Sequence, residues 1–184
     1  HDRKALYSYD YQSNQYTVLR SDHSFPLASS SVIDPKRKLF LTFGGGFFSA
    51  ISIAPGSNYA QQSWSLSGCS GVTSSSGDSG PGLAYDPVQD RIVSWNGGND
   101  VYLFNPDTRS CTTVTYSGGP GSATSLGIYG RFRFFPNPNV FAVVTSVDKD
   151  AYVLRLTQGN VTPPTDTTPP TVSVSHSPTP NIQT

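Results

Sequence analysis

The sequence predicts an all-β protein built from repeated units, and three observations lead to this fold class. The 184 residues include 17 Gly and 15 Pro, which favour tight turns over helices. Short apolar and aromatic runs alternate with clusters of Gly, Pro, Asn, Asp and Ser, as expected for short strands joined by turns. One such pattern recurs after 52 residues, from Asp34 to Asp86, and a period of this size is typical of repeat architectures.

The repeat consists of an Asp-Pro pair, an apolar strand and a run of glycines. Its first two copies are Asp34-Pro35 with Leu39–Phe43 and Gly44–Gly46, and Asp86-Pro87 with Ile92–Trp95 and Gly97-Gly98. A third and weaker copy has Pro136, the run Val140–Val144, and Ser146-Val147 where the glycines would fall. We therefore expect strands in 37–43, 90–95 and 139–145, and no long helix.

A second part of the repeat is a strand centred on an aromatic residue. Asp100–Phe104 is echoed by Asp150–Leu154 and, near the N-terminus, by Leu6–Tyr9. Cys111 comes seven residues after Phe104, and Tyr16 comes seven residues after Tyr9, each opening another short β-prone run. The pattern predicts a strand in 100–105 and four short strands in each complete unit.

Four short strands per unit predict the blade of a β-propeller. One small twisted sheet cannot bury both of its faces alone, whereas sheets stacked around an axis cover each other. By this count, residues 1–157 hold about three and a half four-stranded antiparallel blades. These are the outer half of one blade, two complete blades, and a last blade with three strands.

The repeat resembles that of the kelch and galactose-oxidase-like propeller family. The resemblance rests on the glycine pairs Gly45-Gly46 and Gly97-Gly98 and on the aromatic residue in the strand that follows, as at Phe104. Cys111 and Tyr16 stand where the family usually has Trp. The resemblance implies a ring of usually six or seven blades. It therefore implies that the remainder of a parent propeller is a partner of this segment.

The composition changes after residue 157. Residues 158–170 are rich in Thr and Pro, which favours extended polyproline geometry and cannot build a core. Thr171–Ser175 then alternates like a first strand. This junction resembles those before immunoglobulin-like or fibronectin-like modules of bacterial secreted proteins. We interpret 158–170 as a linker, and 171–184 as the start of a β-sandwich-like module or a disordered tail.

Charge and composition indicate a secreted or cell-surface protein. Twelve acidic and twelve basic residues cancel, so no net field attracts nucleic acid or anionic lipid. The apolar runs are too short to span a bilayer, so we expect no membrane insertion. In an extracellular chain the two cysteines, Cys69 and Cys111, are predicted to form a disulfide. The alternative is a pair of buried thiols.

No familiar catalytic constellation is present, so we expect no catalytic residue, metal or cofactor in this chain. Gly77–Pro81 resembles the nucleophile loop of trypsin-like proteases, but the order Gly80-Pro81-Gly82 departs from it, and His23 lacks the matching context. A copper site would need imidazole and phenolate ligands on one metal, and the two complete blades contain no His.

Aromatic and planar polar side chains in predicted loops indicate ligand binding. Phe47 and Phe48 follow the first glycines, Asn99 lies in the equivalent turn, and Tyr129 and Arg131 precede the last blade. An aromatic face beside fixed hydrogen-bond donors suits a sugar, and a propeller gathers its loops around a central depression. The alternative is that the alternation over 131–134 marks only a strand with one apolar face.

These observations predict a non-catalytic extracellular module that binds a glycan or a protein partner within a larger secreted protein. The first alternative is part of an enzyme, either a galactose-oxidase-like oxidoreductase or a polysaccharide hydrolase or lyase, whose catalytic residues lie elsewhere in the parent. The second alternative is a structural repeat of a surface filament or adhesin.

Overall fold

The computed structural model describes residues 4–69, 72, 80–125 and 127–157. Within these residues the chain forms thirteen strands and one short 3₁₀ turn. The strands are β1 (Leu6–Asp10), β2 (Gln15–Arg20), β3 (Ser30–Asp34), β4 (Leu39–Gly44), β5 (Phe47–Ser52), β6 (Gln61–Ser63), β7 (Gly82–Asp86), β8 (Arg91–Trp95), β9 (Asp100–Asn105), β10 (Ser110–Thr115), β11 (Phe132–Phe135), β12 (Val140–Val144) and β13 (Ala151–Leu154), and the 3₁₀ turn is Tyr129–Arg131.

The thirteen strands form four antiparallel sheets in chain order. Sheet I is β1-β2, sheet II is β3-β4-β5-β6, sheet III is β7-β8-β9-β10, and sheet IV is β11-β12-β13. Within each sheet, every strand pairs with the next along the chain, as in a meander. The predicted all-β class and the partial set of propeller-like blades, with two, four, four and three strands, are therefore confirmed.

The predicted segments at 158–170 and 171–184 lie outside the described residues. All thirteen strands fall within the 1–157 segment that the repeat defines. Within the part of the chain that the structure describes, no helix is long and apolar enough to cross a membrane.

The first strand of each larger sheet lies innermost. β3 packs beside β7, and β7 packs beside β11, so sheets II, III and IV are neighbours in chain order. The sheets contact each other face to face and bury two apolar clusters. The first cluster joins sheets II and III and centres on Leu41, Phe43, Phe48, Ile92 and Phe104, and the second joins sheets III and IV and centres on Val93, Trp95, Phe132, Phe141 and Val143.

Glycine is required where the connections between sheets cross the turn after each second strand. Gly44 has a φ of +121°, and a Cβ there would lie 2.2 Å from the carbonyl oxygen of Ala28. Gly97 has a φ of +97°, and a Cβ there would lie 2.4 Å from the amide nitrogen of Ala123. The glycines of the repeat therefore let the incoming connection approach the turn closely. We call this the upper end of the sheets.

The Asp-Pro turns lie at the opposite, lower end. Asp34 is buried, and its Oδ1 accepts hydrogen bonds from the backbone N–H groups of Lys36 and Arg37, both at 3.0 Å. Asp86 is buried in the same way and accepts from Val88 and Gln89 at 2.8 and 3.2 Å. The repeated Asp thus stabilises each turn through a local side-chain bond to the backbone.

The guanidinium of Arg37 joins sheets II and III at the lower end. Its N–H groups donate to Asp34 at 2.8 Å, to Asp90 at 2.8 and 2.6 Å, and to Asp107 at 2.6 Å through both Nε and Nη2. Asp90 and Asp107 belong to turns of sheet III, and both accept from Arg37 in a bidentate manner. All five donors of the guanidinium are therefore used, and four of the five bonds go to the two carboxylates of sheet III.

The outer edge of the same junction is closed by a disulfide. Cys69 and Cys111 are bonded, as predicted, with their Cα atoms 5.5 Å apart. The bond links the segment after β6 to β10, and Ser67 pairs with Ser110 in a parallel bridge beside it. The guanidinium of Arg109 lies 4.3 Å from the ring centroid of Trp64. A disulfide indicates an oxidising environment.

We expect Arg37→Met to lower the free energy of unfolding by on the order of 3 kcal/mol, because it leaves the buried carboxylate of Asp34 and the partly buried carboxylate of Asp90 without this cation. The Arg37 side chain is 14% exposed. Lys36→Met is the matched control, since Lys36 contacts the same Asp90 but is 62% exposed, and its loss should cost less than about 1 kcal/mol. Equal destabilisation of the two variants in urea unfolding would contradict the central role of Arg37.

Acid should weaken the same network. Arg37 holds the pKa of Asp90 far below its ordinary range, with Lys36 adding to the effect, and it also lowers the pKa of Asp107. A carboxylate whose pKa is lowered on folding contributes stability above its unfolded pKa of about 4, and that contribution is lost as the pH falls towards the folded value. The stability difference between the wild type and Arg37→Met should therefore shrink below about pH 4. A constant difference between pH 7 and pH 2 would refute the assignment.

Candidate ligand-binding cleft

A cleft with about 90 Å³ of free volume lies between sheets III and IV, towards the upper end. Its floor is apolar and its rim is formed by the turn between β8 and β9, the loop that follows β10, and β13. The lining residues are Trp95, Gly98, Asn99, Val101, Tyr116, Ser117, Gly118, Gly119, Pro120, Phe132, Phe141, Val143, Tyr152, Val153 and Leu154.

Backbone hydrogen bonds hold the rim of the cleft on the sheet III side. The N–H of Gly98 donates to the carbonyl of Gly121 at 2.7 Å, and the N–H of Tyr116 donates to the carbonyl of Asn99 at 2.8 Å. The indole N–H of Trp95 donates to the carbonyl of Gly98 at 3.1 Å. The loop after β10 is therefore tied to the glycine turn, so Trp95 and Tyr116 have defined positions at the cleft.

Sheet IV supplies the opposite wall. Phe132 and Phe141 stack with their ring centroids 5.3 Å apart, and they form the floor with Val143. Tyr152 on β13 pairs with Val143 on β12, which places its side chain over the same face. The described residues include no strand that pairs with the outer edge of β13. Tyr152 and Leu154 therefore stay partly exposed at the cleft.

Polar groups are few and lie at the rim. Among the described residues, no hydrogen-bond partner is found for the hydroxyls of Tyr116 and Tyr152. Asn99 is exposed, and a Cβ built at Gly119 would lie 3.1 Å from its Oδ1. An apolar floor with phenol and amide groups around it can hold the face of a small ring and bond to its substituents.

The five residues predicted to bind a ligand are not brought together. Asn99 lies at the cleft, whereas Phe48 is 5% exposed and belongs to the core between sheets II and III. Phe47 is half-buried beside Gly44, with which it pairs at the upper end of sheet II. A ligand role for Phe47 or Phe48 stays a prediction, but these side chains do not face the cleft residues.

Tyr129 and Arg131 lie on the 3₁₀ turn before sheet IV. Tyr129 packs on Gly80, where a Cβ would lie 2.3 Å from its Cε1. Arg131 donates to the carbonyls of Thr145 at 2.6 Å, Ile128 at 3.3 Å and Gly127. Its guanidinium thus holds the connection to sheet IV in place. A ligand role for either residue stays a prediction.

The cleft contains five aromatic residues that sequence reasoning did not single out as ligand residues, namely Trp95, Tyr116, Phe132, Phe141 and Tyr152. Trp95 ends the strand before the glycines, Tyr116 follows β10, and Tyr152 occupies the aromatic position of the repeat. The repeat showed that Trp95 and Tyr152 were structurally important. It carried no signal that both would line one cleft with Tyr116, because that depends on how two sheets pack.

A second concave surface is formed by the innermost strands. Ser31, Ile33, Tyr85, Arg133 and Phe134 line a space of about 520 Å³ between β3, β7 and β11. The hydroxyl of Tyr85 donates to Asp90 at 2.9 Å, and burial, followed by the nearby Asp90, raises the pKa of Tyr85 to about 12. Tyr85 is therefore neutral at ordinary pH, and its hydroxyl already donates to Asp90.

Within the described residues, no group of three or more His, Cys, Asp or Glu side chains is placed to hold a metal ion. His23 is buried, and its Nε2 lies 2.8 Å from the carbonyl oxygen of Tyr59. Residues 77–79 of the protease-like motif, together with His1 and His176, lie outside the part of the chain that is described.

Comparisons with known proteins find a similar fold but no protein of known function. No family model matches this chain, and no curated protein matches it. It is similar to a solved structure of a structural genomics protein of unknown function from Bacteroides thetaiotaomicron VPI-5482, with a TM-score of 0.57 and 15% sequence identity. The match covers 83% of this chain and 39% of that one, so this chain spans less than half of its neighbour's length. At this identity the likeness shows the fold alone.

Proposed function

We propose that this chain is a non-catalytic part of an extracellular β-propeller of the kelch and galactose-oxidase-like type, and that it binds a glycan within a larger secreted protein. The observation that carries the proposal is the cleft between sheets III and IV. It combines the aromatic residues Trp95, Tyr116 and Tyr152 with polar groups at its rim.

The chemistry of the cleft suits a neutral sugar ring. The C–H face of a pyranose packs on an aromatic ring, while its hydroxyls bond to the phenols of Tyr116 and Tyr152 and to the amide of Asn99. A free volume of about 90 Å³ holds part of one ring, so the cleft would grip the end or the edge of a glycan. None of the described residues that line it carries a charge, which favours a neutral ligand over an acidic one.

Two features support secretion. The Cys69–Cys111 disulfide persists in oxidising compartments and is rare in the cytosol. The chain carries few charged residues, 13% of the total, with equal numbers of acids and bases. Such a surface depends on hydroxyl and amide groups for its polarity, and these are suited to binding carbohydrate.

The proposal is tested by glycan-array screening of the purified protein, followed by titration with the best ligand. Tyr116→Ala and Tyr152→Ala should each weaken binding about tenfold or more, because loss of one aromatic contact costs on the order of 1 to 2 kcal/mol. The corresponding Phe variants keep the ring and lose the hydroxyl, so they should lose less affinity than the Ala variants.

Tyr11→Ala is the matched control, since Tyr11 is exposed in the turn of sheet I and far along the chain from the cleft. It should leave affinity unchanged. Thermal unfolding checks that each variant is folded. The proposal fails if no glycan binds, or if both cleft variants bind as tightly as the wild type. Binding accompanied by cleavage or oxidation of the glycan would favour the enzymatic alternative.

A further inference from the structure

The cleft between sheets III and IV lies where the neighbouring junction has a pair of aromatic rings. Phe48 and Phe104 contact each other between sheets II and III, with their ring centroids 5.0 Å apart. Phe48 pairs with Phe43 at the upper end of sheet II and packs towards sheet III. Val101 pairs with Trp95 in the same way and packs towards sheet IV. Val101 is therefore the counterpart of Phe48 at the second junction.

Leu154 is the counterpart of Phe104. Phe104 pairs with Ile92 and packs towards sheet II. Leu154 pairs with Phe141 at the same position of sheet IV and packs towards sheet III. Val101 and Leu154 both line the cleft. Two smaller side chains thus stand where two rings meet in the other junction, and the free volume of about 90 Å³ lies between them.

The inner part of the cleft is apolar. Val101, Phe132, Phe141 and Val143 are buried there and carry no polar side-chain atom. The indole N–H of Trp95 already donates to the carbonyl of Gly98. A sugar hydroxyl placed at this depth would lose its hydrogen bonds to water without replacement. The part of the ligand that enters must therefore be apolar, and it must be a substituent, because the space holds only part of a sugar ring.

The rim next to this space offers an amide. The side-chain amide of Asn99 is exposed and has no hydrogen-bond partner among the described residues. An Asn side chain donates to a carbonyl and accepts from an N–H, so it matches another amide on both sides. A substituent that suits both parts of the cleft has a methyl group attached directly to an amide. The acetamido group of an N-acetylated amino sugar has this structure.

We propose that the cleft receives the acetamido group of an N-acetylated amino sugar, with its methyl between Val101 and Leu154 and its amide at Asn99. The inference rests on the proposed glycan binding and names the class of sugar. A deoxy sugar such as fucose also carries a methyl, but this methyl is attached directly to the sugar ring. It would leave the amide of Asn99 without a matching group.

Matched sugars test the assignment in ligand-observed NMR titrations. N-acetylglucosamine is compared with glucose, and N-acetylgalactosamine with galactose, since each pair differs only in the substituent at one carbon. Each N-acetylated sugar should bind about tenfold or more tightly than its partner, because one small apolar group in an apolar pocket contributes at least that factor. Saturation transfer from the protein should be strongest at the acetamido methyl. Fucose should bind no more tightly than galactose.

Filling the space tests the same assignment from the protein side. Leu154→Phe restores the ring that Phe104 supplies at the other junction, and it should lower the affinity for the N-acetylated sugars about tenfold while leaving the unfolding temperature at or above that of the wild type. Val101→Phe fills the space from the opposite wall and serves if Leu154→Phe does not fold. Leu27→Phe is the matched control, because Leu27 is 61% exposed and lies outside the cleft. It should leave every affinity unchanged.

The outcomes separate this inference from glycan binding itself. Equal affinity within both sugar pairs would overturn the acetamido assignment and leave the proposed function in place. So would tighter binding of fucose than of the N-acetylated sugars, or undiminished affinity for them in a folded Phe variant of the cleft. Failure of every glycan on the array to bind would overturn both proposals.

Discussion

Face-to-face packing between neighbouring sheets is the interaction on which the rest of this structure depends. Sheet III shows it best, because it buries one face against sheet II and the other against sheet IV. In β8, Ile92 faces sheet II while Val93 and Trp95 face sheet IV. Successive side chains of a strand point to opposite faces, so a strand that is covered on both faces has apolar residues at both odd and even positions. This explains why the central strands are continuous apolar runs.

The two described junctions of sheet III are stabilised differently. Arg37, the Cys69–Cys111 disulfide and the Arg109–Trp64 contact all join sheets II and III. Among the described residues, no ion pair joins sheets III and IV, which meet through the apolar cluster and through backbone hydrogen bonds of their loops. The cleft lies at this second junction. The proposed binding site therefore lies on the other side of sheet III from the junction that Arg37 and the disulfide stabilise.

One position of the repeat shows that the environment of a side chain depends on the sheet that lies opposite it. Tyr7, Tyr102 and Tyr152 correspond to one another in the third strands of their units. Tyr102 packs on the core between sheets II and III, where burial, followed by the charge of Asp100, raises its pKa. Tyr152 lines the cleft, and Tyr7 is exposed on sheet I. The same residue type is therefore buried in a core, placed at the proposed ligand site or left exposed, according to what lies opposite.

The sequence by itself determined the repeat, the strands and their grouping into sheets, because turns and neighbouring strand pairs are local and periodic. It also indicated the Cys69–Cys111 bond, since only two cysteines were available. The tertiary structure decided which face each side chain meets. Phe48 was predicted in a binding loop and packs in the core. Tyr116 and Tyr152 line one cleft, although no local pattern in the sequence indicates it. Contacts between sheets join residues dozens of positions apart, and they depend on how the sheets stack.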